Sequence, residues 1–357
     1  MTRAQTTSTT QQNTGGAVVP FAAGKNKIIN GDFFINQRGW SSGGSSGDYT
    51  FDRWKFLASF NTGSATYSAQ TFTPGTAPVT GYEARNFLRC VTTGTTSANS
   101  SSYTTVYQLI EDVRTFANQT ITISFWAKAA SGTPKVAIEI SQDFGSGGSP
   151  SAAVQTYSGQ ATLSTAWARY SITVTVPSIS GKTVGTTANT SSLAILFWLS
   201  AGSSFNARTG SIGLQDNTFD IWGVQAESGS TATPFQTATG TLQGELAACQ
   251  RYFYRHASGD GKFISMAAAY SATWAQGGIS FPATMRTTPT LSTASGTDYY
   301  LFYRNSGNDG FNSAGINQGN TTCCSLYNNS DISSTAGHAG WFITNNANAT
   351  VDFSAEL

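Results

Sequence analysis

Residues 26–40 read N-K-I-I-N-G-D-F-F-I-N-Q-R-G-W, and after a bridge of Ser and Gly at 41–47 the chain resumes at 49–56 with Y-T-F-D-R-W-K-F. Ile28 and Ile29 suit a short apolar strand, Asn30-Gly31 signals a turn, and 33–35 form an apolar triplet. A second dense cluster follows in Phe51, Trp54 and Phe56. The bridge offers nothing that a packed core can use, so the two apolar halves are predicted to meet as neighbours in one sandwich. Arg38 and Arg53 flank these aromatics and lie near Asp32 and Asp52 in sequence. Pairing with a carboxylate or stacking on Trp40 or Trp54 is their expected use, a structural one rather than a catalytic one.

Composition agrees with a β-rich fold. Only 10% of the 357 residues are charged, against roughly 25% in ordinary globular chains, while 12% are aromatic. That balance argues against disorder and for many strands and turns. The length suggests two domains and an arm. A formal net charge of +1 leaves no basic footprint for nucleic acid and no polybasic membrane anchor. No apolar run approaches the roughly 20 residues that cross a bilayer, and the polar start lacks the apolar core of a signal peptide, so no membrane insertion is expected and the chain is read as made and kept in a cytoplasm. Cys90, Cys249, Cys323 and Cys324 show no metal spacing and are read as reduced, mostly buried residues.

From 25 to about 236 the chain reads as a string of short strands. Segments 86–92, 119–128, 135–141, 167–176 and 193–200 are β-branched or aromatic and separated by Gly, Ser and Pro. Ile121, Ile123 and Phe125 alternate with Thr120, Thr122 and Ser124, and Ile172, Val174 and Val176 with Ser171, Thr173 and Thr175. One apolar and one hydroxyl-bearing face describe strands half-buried in two packed sheets. The fold class expected is all-β: a jelly-roll sandwich, then a short helix, then a second, smaller β-sandwich domain over 253–357. The helix is expected in 237–252, where Leu242, Leu246, Cys249 and Phe253 follow a helical spacing. Alone it is marginal, so its seam must pack on its own domain or on copies in neighbouring chains.

The opening stretch resembles the start of jelly-roll domains in bacteriophage tail fibre and tail spike proteins, which are themselves similar to carbohydrate-binding modules. I-S-F-W-A-K at 123–128, W-A-R-Y-S-I-T-V-T-V-P at 167–177 and F-D-I-W-G-V-Q-A-E-S-G-S-T-A-T-P-F at 219–235 look like the middle and closing strands of that family. Ala226 departs from the Gln-Leu-Glu usual in relatives, while Gln225, Glu227, Gly229 and 233–235 hold. G-E-L-A-A-C-Q-R-Y-F at 244–253, F-P-A-T-M-R-T-T-P-T at 281–290 and the terminal S-A-E-L resemble the family's linker and C-terminal β domain. The resemblance implies a virion tail protein assembled in the host bacterial cytoplasm, a homotrimer joined at the Leu242, Leu246, Cys249 and Phe253 seam. It also implies an N-terminal arm, 1–24, whose Val18, Val19, Pro20 and Phe21 attach to another tail protein. In related modules an acidic residue after Gly-Asp-Phe and an Asp on the final strand hold structural calcium. Asp220 stands at the second place, but Phe34 and Ile35 stand at the first, so the resemblance leaves calcium open with Asp220 as its ligand; no other cofactor is expected.

Catalytic motifs dissolve on inspection. The formal G-x-S-x-G at 43–47 sits in the Ser/Gly bridge, where a nucleophile elbow has no strand before it or helix after it. His256 and His338 have no metal-ligand spacing around them. A glycosidase would need to assemble its pair from carboxylates such as Glu83, Glu111, Asp112, Glu139, Asp143, Asp216 or Asp220, and no β-helix repeat is visible. Sugar binding needs only flat aromatic faces beside amide and carboxylate groups. Trp274, Tyr299, Tyr300, Tyr303, Phe311 and Trp341 with Asn305, Asn308 and Asp309 supply both, and 305–320 reads as a long exposed loop. The leading expectation is therefore a non-enzymatic fibre whose C-terminal domain attaches to a host surface glycan or outer-membrane protein. The rivals are a polysaccharide depolymerase and a structural decoration or connector that touches no host.

Overall fold

A computed structural model describes residues 23–305 and 307–357 with their side chains, and the backbone alone of 10–12 and 18–20. The latter pair as a short antiparallel ribbon, β1 (Thr10–Gln12) and β2 (Val18–Pro20). The side chains of the attachment tag, Val18, Val19, Pro20 and Phe21, lie outside the described residues. The chain divides into two units, 1–245 and 246–357. Among the described residues no helix is long and apolar enough to cross a membrane.

The first unit is a jelly-roll sandwich of ten strands: β3 (Trp54–Ser59), β4 (Ser64–Thr71), β5 (Asn86–Thr93), β6 (Tyr103–Glu111), β7 (Thr120–Ala129), β8 (Lys135–Asp143), β9 (Val154–Thr162), β10 (Ala168–Thr175), β11 (Ser192–Ala201) and β12 (Thr218–Ser228). They form two five-stranded sheets, ordered β10-β7-β12-β5-β4 and β3-β6-β11-β8-β9, with antiparallel pairing throughout. Alternation decides what lies between them. Ile121, Ile123 and Phe125 of β7 meet Leu193, Ile195 and Phe197 of β11, all fully buried. Each such side chain contributes about 1.5–3 kcal/mol on leaving water.

The opening stretch is a folded loop pinned to this core. The Asn30 side chain donates to the carbonyls of Ile35 (2.8 Å) and Asp52 (3.0 Å) and accepts from the Ile35 N–H (2.8 Å), while the Trp54 indole donates to Asn30 O (2.9 Å). Gly31 is required: a Cβ there would lie 2.1 Å from Val224 O, because the loop backbone runs directly against β12. Phe33, Phe51 and Trp54 then pack as one aromatic cluster with centroids 5.0 and 5.3 Å apart. The arginines differ from expectation in detail. Arg38 lies over Tyr49 and 3.7 Å from Asp52, and buried Arg53 donates to Leu109 O.

The hydroxyl-bearing face of β7 also departs from the half-buried reading. Thr122 and Ser124 are buried, joined by hydrogen bonds to Gly229 O and Arg169, beneath a polar layer of Gln225, Glu227 and Thr233. The segment after β12 folds back over this face, so hydroxyls that suit solvent instead bond to a second layer of chain.

Helix α1 (Asn206–Thr209) crosses the outer side of β8, β9 and β11, and helix α2 (Leu242–Gln250) leads into the second unit. That unit has ten strands: β13 (Phe253–Ser258), β14 (Phe263–Ala269), β15 (Ala275–Ser280), β16 (Thr290–Thr293), β17 (Tyr300–Tyr303), β18 (Asp309–Phe311), β19 (Gly315–Asn317), β20 (Cys323–Asn328), β21 (Ala339–Thr344) and β22 (Thr350–Ser354). A three-stranded sheet, β13-β22-β16, and a seven-stranded sheet, β18-β17-β21-β14-β15-β20-β19, share one core. The loop expected over 305–320 is thus in part strand: β18 and β19 lie within it and form the two edges of the large sheet. Phe311, fully buried, anchors the first of them. None of the four cysteines is in a disulfide, and burial pushes Cys90 up to about 12 and Cys324 up to about 11.

Candidate functional site

Strand parity in the second unit sorts its aromatic residues into core and surface. Along β17, Tyr300 and Phe302 point inward and are fully buried, while Tyr303 points out. The Tyr300 hydroxyl is spent on the carbonyls of Ala294 and Thr350, both at 2.7 Å, and burial raises it to about 12. Tyr300 stacks on Phe311 inside the core. These two are therefore corrected from ligand contacts to core residues: neither has surface to offer. Tyr299 packs against the core from its rim, half-buried.

The outward face is different. Register aligns Tyr303, Trp341 and Met266 across β17, β21 and β14. Tyr303 and Trp341 stack with centroids 5.0 Å apart and planes 24° from parallel, and stay 41% and 38% exposed. Met266 is 65% exposed, and Phe263 and Tyr270 on the same strand or just past it are 58% and 71% exposed. Tyr270 meets Trp274, which lies 5.2 Å from Tyr327. Between these two aromatic groups the sheet surface sinks into a basin of about 550 Å³, lined by Met266, Ala268, Tyr270, Gln276, Ser325 and Ala339 among others. Gly278 belongs to its floor, and a Cβ there would meet nothing within 4 Å. Small residues at the centre and large ones at the corners make the hollow.

Of the aromatics singled out in the sequence, Tyr303 and Trp341 lie on this outward face and Trp274 meets Tyr270, but none of the three lines the hollow. Met266, Tyr270 and Gln276 were not singled out: in F-I-S-M-A-A-A-Y every residue but Ser265 is apolar, so no alternation tells the inner face from the outer. Asn305 and Asn308 are exposed in the turn after β17. Asp309 pairs with Arg304 at 2.5 Å through one carboxylate oxygen.

Asp220 is also reassigned. Its two carboxylate oxygens accept from Arg89 Nε (2.7 Å) and a terminal Arg89 nitrogen (2.8 Å), and Lys128 Nζ lies 3.6 Å away. A calcium ion needs several oxygen donors, and cations surround this one instead. Among the described residues no group of three His, Cys, Asp or Glu side chains is placed to hold a metal. His256 hydrogen-bonds Tyr254 (2.9 Å) and Ile264 O (2.7 Å) in a packing role. Of the proposed helix seam, Cys249 and Phe253 are buried within the chain itself and Leu246 is half-buried, which leaves Leu242 as its exposed member at 55%. A contact between copies at this point therefore has far less apolar surface than the spacing suggested.

Two further clefts lie in the sandwich. One of about 390 Å³ contains Glu111 and the Asp112–Arg114 ion pair (3.0 Å). The other, about 490 Å³, contains Asp32, Tyr82, Glu83 and Glu245. Asp32 accepts from the Tyr82 hydroxyl at 2.8 Å, and Glu245 accepts from Asn30 N (2.8 Å) and Thr239 N (2.7 Å). Burial raises both carboxyl groups above their ordinary values despite these bonds. Elsewhere in the sandwich, buried carboxylates face cations: Glu139 meets Arg208 at 3.0 Å and Glu227 meets Lys25 at 3.0 Å.

No protein-family model matches the chain, and no curated protein does. Several solved structures are similar. A CBM4 carbohydrate-binding module is 14% identical, with 57% of this chain and 99% of that one covered and a TM-score of 0.32. The CBM22-2 xylan-binding domain of Paenibacillus barcinonensis Xyn10C is 15% identical over 51% of this chain and 94% of that one, with a TM-score of 0.31. The family 11 carbohydrate-binding module from Clostridium thermocellum, in complex with a β-1,3-1,4-mixed-linked tetrasaccharide, is 12% identical over 55% and 99%, with a TM-score of 0.30. At these identities and TM-scores the likeness carries nothing about ligand or residue roles.

Proposed function

We propose that this chain is a non-enzymatic attachment protein that grips a cell-surface carbohydrate through the basin on its seven-stranded sheet. The observation that carries the reading is the concentration of exposed apolar surface there: Met266 and Tyr270 stand exposed in the lining of a hollow that also has amide and hydroxyl groups, and the part-exposed Trp341 and Tyr303 stack continues the same outward face across β21 and β17. Sugar rings present C–H faces that stack on such aromatics while their hydroxyls find polar partners. A contiguous bare apolar patch on a folded unit marks an interaction site. Following the resemblance of its opening, closing and linker segments, the chain is further proposed to be a bacteriophage tail fibre or spike, a homotrimer held to another tail protein by its N-terminal arm. Three copies per fibre would turn weak single-site binding into firm attachment.

Gly278→Arg tests the site directly. The added side chain meets no neighbour at its root and projects from the floor of the basin. Wild-type protein is expected to stay on host cells or their purified polysaccharide, and the variant to wash off with an unchanged melting temperature. Equal retention of both would sink the proposal. Release of new reducing ends from the polysaccharide would instead favour the depolymerase reading.

A further inference from the structure

We infer that the basin selects a neutral sugar bearing methyl groups, an N- or O-acetylated or 6-deoxy hexose within a surface polysaccharide. This rests on the reading of the basin as a carbohydrate site and adds the class of sugar to it. Charge supplies the first argument. The two clefts of the sandwich each carry ionisable side chains, Glu111, Asp112 and Arg114 in one and Asp32, Glu83 and Glu245 in the other. None lines the basin. A uronate or sialate would bring a carboxylate into a hollow with no cation to receive it, and desolvating an unpaired charge is costly.

Backbone donors do not fill the gap. Below the basin β14 pairs with β15 at Ala267–Gly277, Ala268–Gln276 and Ala269–Ala275, and β15 pairs with β20 at Gly278–Ser325, so their N–H and C=O groups are committed to the ladder. Within the lining itself the side chains that can hydrogen-bond are Gln276, Ser325 and Tyr270. A sugar with a full set of hydroxyls would lose more water contacts than these replace. The Met266 thioether and the Ala268 and Ala339 methyl groups instead offer soft apolar surface that an acetyl or C6 methyl group covers well.

Calorimetric titration of the full chain with four oligosaccharides tests this: an N-acetylglucosamine tetramer, a rhamnose tetramer, cellotetraose and tetragalacturonate. At least one of the first two is expected to bind ten-fold or more tightly than the last two, and Gly278→Arg to weaken that binding at least ten-fold. Gly278→Ser, with a side chain too short to fill the hollow, should retain it. If Gly278→Arg lowers the melting temperature, Met266→Glu at the exposed rim serves as the blocking variant. Tight binding of cellotetraose or tetragalacturonate that the blocking variant abolishes would overturn the methyl-bearing class and leave the site standing. Absence of any binding sensitive to the blocking variant would overturn the site and the class together.

Discussion

Two outer sheet faces of this protein carry large apolar side chains, and they are treated in opposite ways. On the outer side of β3-β6-β11-β8-β9, Tyr107, Leu196 and Trp198 are buried, although they point away from the main core. The segment around α1 lies over part of this face: Phe205 packs on Trp198 and Tyr103, and Arg208 stacks on Trp198 at 4.8 Å while holding Glu139. On the seven-stranded sheet, Phe263, Met266, Tyr270, Tyr303 and Trp341 stay exposed among the described residues. An apolar sheet face is expensive to leave wet, so the contrast teaches where the chain covers its own apolar surface and where it leaves that surface open, the feature on which the proposed sugar site rests.

The sharpest way to break the comparison is to remove the cover. Arg208→Met leaves the Glu139 carboxylate buried without its cation, and should cost about 3 kcal/mol in denaturant unfolding with sugar binding by the second unit unchanged; an effect under a third of that would mean the cover is ornamental. Trp341→Ala should do the reverse, lowering affinity for the sugar about ten-fold, or about 1.4 kcal/mol, with little change in stability. A collapse of stability there would place Trp341 among the structural residues.

A smaller effect comes from the cleft that holds Asp32 and Glu245. Their raised values mean that the folded state keeps these protons more tightly than the unfolded state does. The stability they lend is fully present below the ordinary carboxylate range and lost as pH rises through the folded values. Asp32→Asn, which keeps an acceptor for Tyr82 but cannot ionise, should flatten the decline in melting temperature as pH rises above the ordinary carboxylate range. Parallel wild-type and variant curves would contradict this. Smallest of all, Phe263→Ser should move stability by no more than about 0.5 kcal/mol and leave sugar binding intact, since Phe263, at the start of β14, lies beyond Met266 from the hollow and outside the Tyr303–Trp341 stack. Weakened binding would extend the site across the whole face.

Strand placement was legible because alternation is a local property. Ile121, Ile123 and Phe125 could be assigned to the core from their spacing alone, and the glycine of the opening turn from its dipeptide. What lay beyond reach depended on partners distant in sequence. Thr122 and Ser124 looked solvent-facing because nothing nearby reveals that the chain after β12 returns to cover them. Tyr300 and Tyr303 carry the same chemistry, and only the register of β17 against β21 separates a core hydroxyl from a surface ring. The helical spacing holds for Leu242, Leu246 and Cys249 but not for Phe253, which opens β13, and spacing cannot say that Cys249 and Phe253 find burial in their own chain. Arg89 is 131 residues from Asp220, too far for sequence to pair them and so to remove the calcium reading.

One last consequence follows from the borders of the large sheet. Both β18 and β19 are only three residues long. A long, flat, unpaired margin is an invitation for further chains to add on and grow into fibrils, and a stubby one denies them a template. On this sheet, the one that carries exposed Tyr303 and Trp341, short borders let oily rings stand in water without offering a long margin for further chains to extend.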